Sequence, residues 1–194
     1  MSANAIFNVT QAFKERLQQA LNDASDPGTV FVGPLDDPDA KGASLILFLY
    51  RIAPNPSLRN REHVVVADNP PPDTIVYDNS LPLILHYLIT VGTRDGVAED
   101  PLLRLLGFAM RALNDVPELT GPKVGHETVR VSLEPISTEE MSRVWTLFPV
   151  VNYRTSIAYV ATPVWIDPKD PPVVAGRVVD DRLGAGARLE PVDG

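Results

Sequence analysis

The order of apolar patterns along this chain predicts an α+β domain whose mixed, mostly antiparallel sheet is covered by helices on one face. Three observations carry that expectation. Helix-period stripes occur three times, and strand-type runs separate them. One of those runs, 44–50, is apolar almost throughout, which marks a central strand buried on both faces, and 83–91 resumes as a further strand. A third, 129–134, alternates Val129, Val131 and Leu133 with Arg130, Ser132 and Glu134, the pattern of a half-buried strand.

The elements follow in order. Ile6, Val9, Phe13, Leu17, Ala20 and Leu21 recur at helical spacing, and the turn Asp26-Pro27-Gly28 stops that helix. Residues 29–32 read as a short strand before an acidic loop at 36–41. The stretch 52–80 reads as one long connection with repeated proline, and connections of that length in a compact domain are usually functional. Pro82 stands at the entry of the 83–91 strand, where a missing N–H matters least. Asp100-Pro101 reads as an N-cap followed by proline at the first helical position. Behind it, Leu102, Leu105, Leu106, Ala109, Met110 and Leu113 form a buried stripe. Ser137 and Glu140 have capping-box spacing, with Met141, Val144, Trp145 and Phe148 as the stripe of the helix that follows. The last strand spans 153–162, and the core-forming pattern stops after Ile166. The expected organisation is therefore a domain at 1–166 and an extended C-terminal tail at 167–194.

Composition limits the function. The 194 residues suffice for one domain with a sizeable core. A net charge of −8 argues against a partner made of nucleic acid and against attraction to an anionic membrane surface. The chain has no cysteine, which removes disulfides, thiolate nucleophiles and cysteine metal sites, and which suits a cytoplasmic setting. No apolar run approaches the length of a membrane span, and residues 1–24 lack the apolar stretch of a signal peptide. Nineteen prolines, about twice average usage, cluster between the apolar runs and so read as stiffened connections.

The search for chemistry comes back empty. His63, His86 and His126 lack metal-ligand spacing, and no G-x-S-x-G elbow or phosphate-binding loop is present. The expected catalytic, cofactor and metal sites are none. His86, within an apolar strand, reads as a core or interface histidine. The candidate residues are instead protein-interface residues. Arg59 and Arg61 flank Asn60 in the long connection, where planar guanidinium groups suit a partner's carboxylates. Trp165 follows Pro163 at the end of the last strand and is hard to place in a core, so it is an interface candidate. In the tail, residues 173–179 place valines on both sides of Gly176 and could add as a strand to the sheet edge of another chain. Arg177 and Arg182 would then pair with acidic neighbours.

Several segments together carry a resemblance. They are LRNREHVVV (58–66), LPLILHYLIT (81–90), LLRLLGFAMRALNDVPEL (102–119), VRVSLEPISTEEMSRVW (129–145) and YRTSIAYVATPVWID (153–167). In this order, over residues 4–167, the chain resembles the cap, or tail-terminator, proteins of extracellular contractile injection systems, the group that includes antifeeding-prophage-like particles. That resemblance implies a tail-terminator-like fold and a structural, non-enzymatic role. It implies a homo-hexameric ring at the distal end of the inner tube and sheath, ending their polymerisation, with the sheath protein and the inner tube protein as partners. It also implies assembly in the cytoplasm, as part of a particle that can be released from the cell. Two other readings stand beside it: a small-ligand binder or enzyme without a recognisable motif, centred on His86, and a tail-completion adaptor of another phage-like machine.

Overall fold

The computed structural model describes residues 3–66, 74–93, 98–125, 127–169 and 173–175, the side chains of 99 and 173–175 excepted. Helix α1 (Ala5–Asp23) buries Val9, Phe13, Leu17, Ala20 and Leu21 of the predicted stripe, together with Ala5 and Thr10, while Ile6 is only partly buried. Strands β1 (Val30–Val32), β2 (Leu45–Pro54), β3 (His63–Val66), β4 (Thr74–Tyr77) and β5 (Leu81–Val91) follow. Next come α2 (Glu99–Asp115), β6 (Glu118–Leu119), β7 (Val129–Leu133), α3 (Thr138–Trp145), β8 (Ser156–Ile166) and β9 (Val173–Ala175).

Six strands form the main sheet in the order β1-β2-β5-β8-β7-β6. Only β1 against β2 is parallel; every other neighbouring pair is antiparallel. The two continuously apolar strands, β2 and β5, lie inside the sheet, as their composition requires. Side chains alternate along β5. Leu83, Leu85, Tyr87, Ile89 and Val91 face the stripes of α1 and α2 in one large core. Leu88 points the other way and joins Leu35, Trp145 and Phe148 beneath α3. The α+β class with a mixed, mostly antiparallel sheet therefore stands, with one addition: α1 and α2 cover one face, and the short α3 packs on the opposite one.

Three local expectations change. The stretch 52–80 is not a single structureless connection. β2 continues to Pro54, and β3 and β4 pair antiparallel from His63↔Tyr77 to Val66↔Thr74. Proline-rich flanks hid two four-residue strands whose β-branched residues favour that geometry. Helix α2 begins one residue before Asp100, with Ala98 at the N-cap position and no side-chain cap. Pro101 thus sits in the first turn, where its missing N–H leaves no intrahelical bond unmade. Strand β8 runs past Pro163 to Ile166, and its pairing with β5 jumps from Leu83↔Val164 to Leu85↔Ala161 at that proline. An irregularity in the ladder is where a strand tolerates proline.

The C-terminal segment also departs from expectation. Val173–Ala175 pairs antiparallel with β4 of its own chain, in a three-stranded sheet ordered β3-β4-β9. These three residues therefore complete a small intrachain sheet instead of adding to another chain's edge. Arg177 and Arg182 lie outside the described residues.

Candidate functional site

Two polar clusters are built into the domain, and each draws its members from distant parts of the chain. The first centres on Glu134, just after β7. Its Oε2 accepts from the Tyr50 hydroxyl at 2.7 Å, and its two oxygens lie 2.8 and 2.9 Å from His86 Nδ1. Arg51 donates to Oε1 at 3.3 Å. Burial and the neighbouring carboxylate push the Tyr50 phenol well above its ordinary value. A bulge in β2 between Leu49 and Arg51 brings Tyr50 and Arg51 to the carboxylate together, and β5 supplies His86 opposite them. His86 is 5% exposed, so it is a core histidine held by a carboxylate.

The second cluster centres on His63 at the start of β3, which is 3% exposed. Its Nε2 lies 2.5 Å from Glu127 Oε1, and its Nδ1 lies 2.6 Å from Asp167 Oδ1. Ser80 donates to that same Asp167 oxygen at 2.9 Å. The imidazole stacks on Trp165, with centroids 4.6 Å apart and planes 9° from parallel, and on Tyr77 at 5.7 Å. Burial alone would lower the pKa of His63, but the two carboxylates outweigh it and raise it.

Neither cluster is arranged as a hydrolytic or metal centre. Ser80 bonds the carboxylate and not the imidazole, so no base is placed to take its proton. Glu127 and Asp167 stand on opposite edges of the His63 ring and do not converge on a common point. Among the described residues no group of His, Cys, Asp or Glu is placed to hold a metal ion.

The sequence-derived interface residues fall in different places. Arg59 and Arg61 are exposed, in the turn that follows β2, where Arg61 N donates to Leu58 O at 3.0 Å. Trp165 is 6% exposed, and the expectation that it lies outside a core is corrected. Pro163 does not end β8, so Trp165 remains in the ladder opposite Pro82 and its indole covers His63. Exposed apolar side chains elsewhere include Leu147, Val150 and Tyr153 between α3 and β8, and Val64 and Val66 on β3. Beside the first group, Met141, Trp145, Phe148 and Val151 line an open groove. Sequence reasoning missed the His63 cluster because its members stand up to 104 residues apart. The one local signal was Trp-Ile-Asp at 165–167, an aromatic and an acid at a strand end.

A curled, mixed sheet with helices on both faces and polar clusters that fasten strands together describes an α+β domain. Its fold is shared with two solved caps. One is the sheath/tube terminator, in its extended state, of an extracellular contractile injection system (TM-score 0.61, 18% identity), covering 95% of this chain and 65% of that one. The other is the tube-terminating cap of the anti-feeding prophage (TM-score 0.60, 19% identity), covering 94% of this chain and 61% of that one. The present chain thus spans less than two thirds of the length of either cap. Residues 8–180 match the Pvc16 N-terminal domain, and the chain belongs to that family. A comparison with curated proteins finds no match.

Proposed function

We propose that this chain is a structural terminator of a contractile injection particle, forming a ring of six copies that ends polymerisation of the inner tube and sheath at their distal end. The observation that carries the proposal is the near-complete superposition of this chain on two caps, 95% and 94% of its length. That likeness concerns the fold; the role is inferred from what the two caps are. The chemistry is compatible. Ring closure needs head-to-tail faces that meet after a fixed rotation, and capping needs a surface complementary to the last ring of tube or sheath. Neither task requires a nucleophile, a cofactor or a metal, so the proposed role is non-enzymatic. The proposed partners are further copies of the chain, the sheath protein and the tube protein, with assembly in the cytoplasm as part of a phage-tail-like particle.

Averaged electron microscopy images of the distal end of purified particles test this reading. Six copies of this fold in a closed ring on the tube and sheath are expected. A distal end without this chain, or the chain seated at the baseplate, would overturn it.

A further inference from the structure

We infer that His63 is an imidazolium latch: with a proton on each ring nitrogen it fastens the small β3-β4-β9 sheet to one end of the main sheet, and loss of a proton on the alkaline side frees the small sheet. Among the described residues the two sheets share no backbone ladder. This cluster joins them among the described residues. His63 opens β3, Glu127 precedes β7, Ser80 precedes β5, and Trp165 and Asp167 stand at the end of β8. One side chain therefore ties the small sheet to two segments at the same end of the main sheet, and Ser80 joins them through Asp167.

The ring's protonation follows from its contacts. Both nitrogens face a carboxylate oxygen, at 2.5 and 2.6 Å. A carboxylate can only accept, so both nitrogens must donate, and only the imidazolium has two N–H groups. A neutral ring would turn one lone pair onto a buried carboxylate oxygen, a repulsive contact at these distances. The ring faces are also occupied, by Trp165 and by Tyr77, and aromatic faces favour a cation between them. Among the described residues the titratable groups that face His63 are thus Glu127, Asp167 and Tyr77, and the chain's N-terminal ammonium also bonds Asp167. The sign of the effect is set by the raised pKa of His63. A group held more basic in the folded state than in the unfolded one stabilises the fold fully below its unfolded value of about 6.5, and that contribution disappears as pH rises through the folded value.

The test uses the full chain. Long-range proton–nitrogen NMR follows the His63 ring from pH 6 to pH 10, and hydrogen exchange follows amide protection in β3 and β4 against that in β5 and β8. Two N–H groups on His63 at pH 7.5 are expected. Across its titration, protection in β3 and β4 should fall by about tenfold for each unit separating the folded and unfolded pKa values, with β5 and β8 unchanged. In His63→Gln the protection in β3 and β4 should be low and independent of pH. A single N–H on His63 at pH 7, or the wild-type pH profile retained in His63→Gln, overturns the inference. Should that variant fail to fold, Glu127→Gln replaces it. Removal of one carboxylate must then move the His63 midpoint towards about 6.5, and an unmoved midpoint overturns the latch.

Discussion

Adjacent positions in α2 should respond in opposite directions to the same residue. Leu106 belongs to the core that α2 forms with α1 and the main sheet, and it is 6% exposed. Its replacement by alanine removes buried methyl groups and leaves a void, for which buried leucines lose roughly 2–5 kcal/mol. The slight exposure allows the site to collapse in part, so the lower half of that range applies, about 2–3.5 kcal/mol. Gly107, the next residue, faces solvent, and a Cβ built there meets nothing within 4 Å. Alanine at that position only restricts the unfolded chain and improves helix propensity, a gain of about 0.5–1 kcal/mol. For a chain of this size each kcal/mol moves Tm by about 2–4 °C. Leu106→Ala should therefore lower Tm by about 4–14 °C, and Gly107→Ala should raise it by about 1–4 °C. Thermal unfolding followed by circular dichroism reads both. Equal small shifts of one sign would refute the placement of the α2 stripe.

Three further outcomes follow from other contacts. Thr10 donates its hydroxyl proton to Ile6 O at 2.7 Å, so the Tyr87 hydroxyl, 2.8 Å away, donates to Thr10; Tyr87→Phe should cost about 0.5–1.5 kcal/mol in urea unfolding, and a loss above about 3 kcal/mol would contradict a simple hydrogen-bond deletion. A Cβ at Gly92 would lie 1.9 Å from the Ala43 carbonyl oxygen, so Gly92→Ala should destabilise by about 1–3 kcal/mol or more through forced separation of β5 from the segment before β2; a neutral substitution would contradict that close approach. Reversal of both Arg59 and Arg61 to glutamate should leave Tm within a few degrees of wild type, because both are exposed, while weakening capping in a particle-assembly assay. Capping at the wild-type level would remove them as interface residues.

Much of the fold was legible because the patterns that encode it are local. The stripe of α1 is read directly from Val9, Phe13 and Leu17, and Ser137 with Glu140 announces α3 through a capping box that the structure contains. The interior strand β2 declares itself by the apolar run 44–50. The β3-β4 hairpin was not legible, because four-residue strands carry too few alternations to stand out among prolines. Nor were the polar clusters. Glu134, His86 and Tyr50 are ordinary residues in sequence and become a network only when β2, β5 and β7 align. His63 acquires its two carboxylates from residues that the chain order keeps far apart. Trp165 shows the same limit from the other side: proline two positions earlier suggested a strand end, and only the ladder irregularity keeps the indole inside.

The central claim, that this chain ends tube and sheath growth, is tested most directly by measuring tail length in particles assembled without it. Tubes and sheaths isolated from cells lacking the chain should vary widely in length or continue beyond the normal limit, and re-supply of the chain should restore a single narrow length distribution. Particles of normal, uniform length in its absence would contradict the account.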